Sequence, residues 1–548
     1  MRPITCLVLF ISVLILCPFA SAQVCVDARN LLGLPDGSAL DPFRTVQAAV
    51  DAAATGQTIF VATGTYAEDV RVENKVVILQ GGYLGATSVE YAQETAGDFT
   101  TRSIEGTPTT LDGTGLDSVV TLLEAGASVI DGFRITGGAG STINLPYTTD
   151  GGGIYVAGGA PVIRNNVIQD NDPRKPGDVG SFGGGIYSDT ANITIEDNVI
   201  AMNYATRGAG IAAVGGTVII RDNTIRGNIG VGDHGGGLYV GAPSATITRN
   251  RIYENEIGRD LGYGWGGGII VFNSGNHADL SFNDVFENYA PGHGSGIFVD
   301  EAATATLRNE RVHHNQVDAG ESGGGAVYVD GGEVNGVQTG SVVEIINCTI
   351  AENPVQDAYL GGNGLFVEGK STVTVRNSIF WGNELEVWSD DTSTVEITYS
   401  NIAGGFVGTG NISEDPLFAD AAAGDFHERS AAGRWDPAAN GGAGGFVLDG
   451  TTSPCIDAGD QVDPFTNETS ENGGRINMGA FGNTAEASRS GEGGDVDTDL
   501  NDDNDVNAVD VQLVINGALG AGAEADVNNS GETDAVDVQL VINSALGL

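Results

Sequence analysis

Gly151-Gly152-Gly153-Ile154-Tyr155-Val156 returns as Gly183-Gly184-Gly185-Ile186-Tyr187, as Gly235-Gly236-Gly237-Leu238-Tyr239-Val240 and as Gly266-Gly267-Gly268-Ile269. Looser copies open at Gly208, Gly294, Gly323 and Gly362. Each joins a glycine cluster to a short apolar strand, and successive copies lie roughly 25 to 35 residues apart, which is a solenoid period. A second phrase sits between them. It reads Ile163-Arg164-Asn165-Asn166-Val167-Ile168, then Ile195-Glu196-Asp197-Asn198-Val199-Ile200, and recurs around Ile220, Ile247, Leu280, Leu307, Ile345, Val375 and Ile397. Apolar residues alternate with period two, as in a strand with one face buried. Strand, bend and strand at a fixed period predict a mainly β fold, a parallel β-helix, and crossover chirality favours the right hand.

Asparagines mark the bends. Asn166, Asn198, Asn223, Asn250 and Asn283 hold one repeat position; Asn171, Asn203, Asn228, Asn255, Asn288, Asn315, Asn353 and Asn383 hold another. Asparagine tolerates a left-handed backbone, so these residues are expected to take the tight bend themselves. Their amides are expected to bond from coil to coil. Glu310, Cys348, Ser378 and Ser400 replace the first row further on, which makes Cys348 a buried small residue and not a reactive thiol.

The ends of the repeat also have a pattern. Asp41-Pro42-Phe43-Arg44-Thr45-Val46-Gln47-Ala48-Ala49-Val50 reads as the start of an amphipathic helix with Val46, Ala49, Val50 and Ala53 inward, stopped by Gly56. Such a helix covers the open end of the core and blocks edge pairing. Together, residues from about 30 to 486 resemble the right-handed β-helix, or pectin-lyase-like, superfamily. Asp415-Pro416-Leu417-Phe418, Ser453-Pro454-Cys455-Ile456 and Arg475-Ile476-Asn477-Met478 look like its irregular terminal segment, read here as packing and turns.

After Ser488 the composition changes. Val509-Asp510-Val511-Gln512-Leu513-Val514-Ile515-Asn516 returns unchanged at Val536 to Asn543. Before each copy the oxygen-bearing residues fall at calcium-loop spacing. The first loop offers Asp499, Asn501, Asp503, Asn507 and Asp510 side chains with the Asp505 carbonyl. The second offers Asp526, Asn528, Ser530, Asp534 and Asp537 with the Glu532 carbonyl. Calcium takes six to eight oxygens, and alternate loop residues can converge on it. The duplication resembles the small α-helical dockerin module with two EF-hand-like loops, which implies two calcium ions and a cohesin-like protein partner. Ala508-Val509 and Ala535-Val536 stand where many cohesin-binding dockerins carry polar pairs.

Four regions are therefore expected: a signal peptide at 1–22, the β-helix at 23–486, a linker at 487–497 and the dockerin-like module at 498–548. Arg2, the apolar run Leu7 to Leu16 and Ala20-Ser21-Ala22 give the export signal its three parts, so the protein is expected to be extracellular or attached to a cell surface. No other apolar run is long enough to span a membrane. The formal net charge is -48, which argues against nucleic acid as a partner. Glycine is 84 of 548 residues, as a chain of many tight bends requires. Of five cysteines, Cys25, Cys348 and Cys455 remain after export, too few and too scattered for a disulfide framework.

The family resemblance implies an extracellular polysaccharide as partner and hydrolase or lyase chemistry on its glycosidic bonds. A noncatalytic adhesive protein or a structural spacer is the alternative. Polygalacturonase motifs are incomplete: Gly292-His293-Gly294 lies inside a glycine phrase, Thr149-Asp150 half matches, and Asp390-Asp391 comes in the wrong order. The residues just before successive glycine phrases are more suggestive. Arg207, His234, Trp265 and His293 fall in one register, with Asp233 beside His234. In register they stack along one edge at a strand spacing of about 4.8 Å. Arg207, Asp233, His234 and His293 are the candidate catalytic groups. Trp265, with Tyr263, Asp260 and Arg259 in the preceding loop, is the candidate sugar platform.

Overall fold

The computed structural model describes residues 23–32, 34–86, 91, 95–143, 148–175, 180–318, 324–356, 364–469, 472–490, 500, 506–520, 533, 538–539, 541–542 and 545. The proposed signal peptide and most of both calcium loops lie outside them. The chain divides into two compact units, residues 1–203 and 204–548.

The first unit is built of parallel strands in three sheets, with Asp98–Arg102 added antiparallel to Val77–Gly85. The first sheet runs through Val24–Val26, Gln57–Ala62, Val77–Gly85, Val129–Asp131, Val162–Arg164 and Ile193–Glu196. The second takes Gly64–Ala67, Thr109–Asp112, Phe133–Thr136, Val167–Gln169 and Val199–Ala201; the third takes Val70–Glu73, Val120–Leu123, Ile154–Ala157 and Ile186–Asp189. Each circuit of the chain adds one strand to every sheet, so like sits on like: Ile154 pairs with Ile186 and Tyr155 with Tyr187. Ile154, Val156, Ile163 and Ile168 are fully buried. Each such side chain contributes roughly 1.5–3 kcal/mol relative to exposure.

The entry helix spans Val46–Ala52 and buries Val46, Ala49 and Val50. Thr45 caps it, accepting from the Ala48 amide. The Glu68 carboxylate accepts from the Val46 and Gln47 amides at 2.7 and 2.9 Å. A negative group at a helix N-terminus is electrostatically favoured, and here it fastens the helix to the following coil.

The second unit follows the same plan, with seven strands in each of three sheets and a short fourth sheet from Tyr204–Ala205 to Val355–Gln356. Its third sheet, which positions the site below, runs through Ile211–Val214, Leu238–Gly241, Ile269–Val271, Ile297–Val299, Val327–Val329, Leu365–Val367 and Val387–Ser389. Residues 403–469 and 472–490 form an irregular cap, with Phe426 and Phe481 packed on Ala351, and Cys455 and Met478 on Ile379. Near the C-terminus the helix Ala508–Ala518 shares an apolar core with Val541 through Val514. No helix among the described residues is long and apolar enough to cross a membrane.

The asparagine rows are hydrogen-bonded ladders. Asn250 Nδ2 donates to Asn283 Oδ1 at 2.9 Å, and Asn255 Nδ2 to Asn288 Oδ1 at 3.0 Å. The left-handed residue, however, is the one before each asparagine: Asn165, Asp197, Arg249, Glu254 and Phe282 all have φ between 53° and 57°. The ladder asparagine closes the bend from within, while its predecessor bears the strained backbone. Cys25, Cys348 and Cys455 are free and buried. Burial pushes the thiols of Cys25 and Cys455 up to about 12, which leaves them unreactive.

Candidate functional site

The glycine phrases explain where the candidate row sits. A side chain on Gly267 would meet the Ser295 carbonyl oxygen at 2.5 Å and that of Tyr289 at 2.7 Å. The coils approach closely there, and the other coils carry nothing larger than the buried Ala209 and Ser295 at that place, so the residue before the phrase is the last large side chain on the rim of the third sheet. His234, Trp265 and His293 occupy that rim in successive coils, bridged in parallel register. The Trp265 ring lies 4.9 Å from His234 and 6.3 Å from His293, nearly coplanar in orientation with the latter at 4°. Tyr263, half exposed, stands 6.0 Å from Trp265.

Arg207 joins the row through charge. Its guanidinium grips Asp233 with two bonds, Nε to Oδ1 at 2.5 Å and Nη2 to Oδ2 at 2.7 Å. His234 Nδ1 lies 2.9 Å from Asp233 Oδ1, but without hydrogen-bond geometry. These neighbours outweigh burial and hold the Asp233 carboxyl well below the usual range. Asp233 is therefore an anchored carboxylate, not a proton donor. Arg259 stands apart from the row: it pairs with Glu256 at 2.8 Å and lies 3.8 Å over the Tyr289 ring. Asp260 is exposed on the same loop.

The structure adds a second row that the sequence reading missed. The outward middle position of the third sheet carries Tyr239, Ile270, Phe298, Tyr328, Phe366 and Trp388 in consecutive register. Tyr328 lies 4.4 Å from His293, Phe366 4.7 Å from Tyr328, and Trp388 4.1 Å from Phe366. On the far side of these rings the last four strands are each followed by a carboxylate: Asp300, Asp330, Glu368 and Asp390. Burial, with neighbouring acids, pushes Asp300 up to about 7 and Asp330 up to about 6. Tyr328 Oη donates to Glu368 Oε1 at 2.5 Å. The face thus has a histidine and tryptophan rim, an aromatic floor and a carboxyl margin. Phe298, Tyr328 and Phe366 are buried, so the partly exposed rings of Trp265, His293 and Trp388 are the ones that can stack on a sugar, beside Asp300 with its raised pKa. A signal for the margin was present in the sequence: Ile297-Phe298-Val299-Asp300, Val327-Tyr328-Val329-Asp330, Leu365-Phe366-Val367-Glu368 and Val387-Trp388-Ser389-Asp390 are four copies of one phrase.

Of the calcium-loop residues, only Asn507 and Asp510 are described. The others, Asp499, Asn501, Asp503, Asp505, Asp526, Asn528, Ser530, Glu532, Asp534 and Asp537, lie outside the described residues. Asn507 caps the helix, accepting from the Val509 amide at 2.9 Å, while Asp510 Oδ2 accepts from the Asn507 amide at 2.9 Å. The other oxygen, Asp510 Oδ1, is buried with no partner among the described residues. An orphaned carboxylate oxygen at the last loop position fits a hard cation. Among the described residues no group of three His, Cys, Asp or Glu is placed to hold a metal ion.

A family model for the right-handed β-helix region matches residues 124–292 and 267–411, and one for the dockerin type I domain matches residues 497–546. Dockerin type I domains bind calcium and imply a cohesin partner. No curated protein matches the chain. Three solved structures are similar to it. Pectate lyase Pel9A is 13% identical over 84% of this chain and 95% of its own, with a TM-score of 0.39. XylC, in complex with xylose, is 12% identical over 72% and 87%, with a TM-score of 0.37. DFA-IIIase from Arthrobacter chlorophenolicus A6, in complex with GF2, is 12% identical over 70% and 95%, with a TM-score of 0.31.

Proposed function

The chain belongs to the right-handed β-helix family, and we propose that it is an exported protein that binds an extracellular polysaccharide along the third sheet of its second unit and cleaves it there. The module at 498–548, joined through the linker at 487–497, holds two calcium ions and docks the protein to a cohesin-like partner. The observation that carries the glycan reading is the parallel stack of Trp265 and His293 beside a buried aromatic floor that ends in carboxyls. Ring faces at coil spacing suit a chain of sugars, whose hydroxyls the flanking polar groups can hold.

For cleavage, Asp300, raised to about 7, still holds a proton near neutral pH, and Asp330, raised to about 6, holds one in mildly acid solution; a glycosidic oxygen needs such a donor to leave. Asp300 and Asp330 therefore replace His234 and Asp233 as the preferred acid catalysts in this reading. Arg207 and Asp233 hold the rim in place.

The test is a polysaccharide panel incubated with the full protein, following binding, reducing ends and unsaturated-product absorbance. The double variant Trp265→Ala, His293→Ala is expected to lose binding and turnover while keeping its β-sheet spectrum. Asp300→Asn is expected to bind but turn over at least tenfold more slowly. Full affinity in the double variant would place the site elsewhere. Binding without turnover by the native protein would select the noncatalytic alternative.

A further inference from the structure

A second cluster of ionisable groups lies on another sheet and takes no part in the glycan reading. In the second sheet of the second unit, Asp284–Phe286 pairs with Arg311–His313, placing Asp284 opposite Arg311 and Phe286 opposite His313. The rings of Tyr253, Phe286 and His313 form a stacked column, at 4.7 Å and 8° and then 5.1 Å and 1°. Phe426 from the cap closes on His313 at 4.8 Å. This fixes the His313 ring.

The hydrogen bonds then assign the protons. His313 Nε2 lies 3.0 Å from Asp284 Oδ1. Asp284 also faces Arg311 at 3.2 Å and Arg251 at 3.9 Å. These neighbours hold its carboxyl below the usual range despite burial. A carboxylate only accepts, so His313 Nε2 carries the hydrogen and Nδ1 carries the lone pair. His313 Nδ1 is 2.8 Å from His314 Nδ1. In the neutral pair His314 must donate there, which leaves its own lone pair on Nε2. Burial and the neighbouring His313 lower the pKa of His314, so it stays neutral at physiological pH. Glu287 on the preceding coil opposes that shift, and on the following coil the Glu352 carbonyl accepts from the His314 amide at 3.1 Å. His314 lines a pocket of about 240 Å³ with Arg251, Asp284, Phe286, Glu287 and Gly424.

We propose that Asp284, His313 and His314 form a proton relay ending at His314 Nε2, in a pocket that binds short-chain carboxylic esters and hydrolyses them with water. His314 Nε2 takes a proton from water as its oxygen bonds to the ester carbonyl carbon. The carbonyl electron pair moves onto oxygen, beside the Arg251 guanidinium. Collapse restores the carbonyl and breaks the bond to the alcohol oxygen, which receives the proton from His314. Ester and water become acid and alcohol, with no other reactant. His314 is the catalytic residue; His313 and Asp284 position it and fix its tautomer.

The test uses the full protein and p-nitrophenyl acetate. Saturable hydrolysis is expected, rising with pH through the lowered His314 pKa to a plateau near neutrality. His314→Gln should lower kcat/KM at least tenfold. Asp284→Asn should lower kcat and move the inflection of the pH profile, with KM within twofold. If that variant does not fold, Arg251→Gln, altered at an exposed side chain, should lower kcat/KM several-fold. His277→Gln, at an exposed histidine outside the pocket, should change nothing. Undiminished activity in His314→Gln overturns the proposal. So does a native rate that stays linear in ester and falls equally in His277→Gln, as unspecific imidazole catalysis would. None of these variants touches the third sheet, so the outcome does not depend on the glycan reading.

Discussion

The ladders of the β-helix and the helix start of the C-terminal module satisfy buried oxygens in different ways. At the ladder, Asn288 Oδ1 accepts from the Asn255 amide at 3.1 Å and from Asn255 Nδ2 at 3.0 Å. Its own Nδ2 donates to Ile252 O at 2.8 Å and to Asn315 Oδ1 at 3.0 Å. Every polar atom finds a partner one coil away. At the module, Asp510 Oδ1 is buried and nothing in the described residues meets it. Glu310 stands between the two cases. It sits in the ladder, where Oε1 accepts from Asn283 Nδ2 at 2.9 Å, but its Oε2 is buried without a partner. The lesson is that one need has three remedies: an amide supplied by the next coil, a cation supplied by solvent, or a proton.

The largest expected effect separates the ladder from the module. Chelation of calcium should abolish the helical circular dichroism of the module and leave the β-sheet signal unchanged. Calcium at a thousandfold over its Kd would stabilise a folded site by about 4 kcal/mol. A fragment from Gly491 to Leu548 should gain helix on adding calcium. A helical signal indifferent to millimolar calcium would break the comparison. Cohesin binding lost with chelator and restored with calcium would sharpen it.

Next comes the ladder itself. Asn288→Ala deletes an acceptor used twice and a donor used twice, all in a buried row. Leaving several backbone and amide groups without partners should cost about 3 kcal/mol, read as a lower denaturant midpoint for the second unit. A loss under about 1 kcal/mol would mean that water replaces the amide, and the ladder would then be no more self-sufficient than the module.

Glu310 gives a smaller, pH-dependent effect. Burial pushes its carboxyl from 4.5 up to about 8. A folded pKa above the unfolded one makes the stabilising contribution complete below pH 4.5 and lost progressively as pH rises to about 8. The neutral acid keeps an unpaired charge off the buried Oε2, which has no partner among the described residues. Glu310→Gln should therefore match the native protein most closely below pH 4.5 and exceed it by a margin that widens as pH rises to about 8. Denaturation at several pH values measures the gap. Other raised carboxyls, such as Glu428 and Glu468, also add slope, so the difference between the two proteins is the quantity to follow. A gap that does not widen with pH would show that Glu310 stays satisfied when charged.

The fold was legible because the repeat states it many times. Glycine phrases, alternating strands and asparagine rows recur at one period, and Val46, Ala49 and Val50 mark the entry helix by their spacing. The rim of the candidate site was legible for the same reason, since Arg207, His234, Trp265 and His293 share a register. Other features depend on information that a single repeat position does not carry. Arg259 is drawn to Tyr289 by a ring on the next coil. Asp300 gains its proton from burial, which composition does not reveal. The relay at His313 depends on Phe426, more than a hundred residues away in sequence. The bends show the limit most clearly. Conserving one side chain per coil suggested that the asparagine takes the left-handed backbone, because Asn tolerates it. The strained position instead holds Met202, Glu254 or Phe282, residues of no common type, so no pattern marks it.

That correction leads to the smallest effect and a direct test. Glu254 has φ of 54° and is exposed, and Asn255 follows it in the ladder. A non-glycine residue pays roughly 1–2 kcal/mol for left-handed backbone. Glycine there removes the strain but has more freedom to lose on folding, by roughly 0.5–1 kcal/mol. Glu254→Gly should therefore be neutral or stabilising by up to about 1 kcal/mol, and should exceed Glu254→Ala, which keeps the strain. Asn255→Gly should lose about 3 kcal/mol, because its value is in the amide and not in its φ. If Asn255 were the bend residue, glycine would be tolerated there and would gain nothing at 254. Equal denaturant midpoints for Glu254→Gly and Glu254→Ala, with a mild Asn255→Gly, would return the bend to the asparagine. The opposite ranking assigns the two jobs to neighbouring residues: one bears the strain, and the next supplies the bonds that hold it.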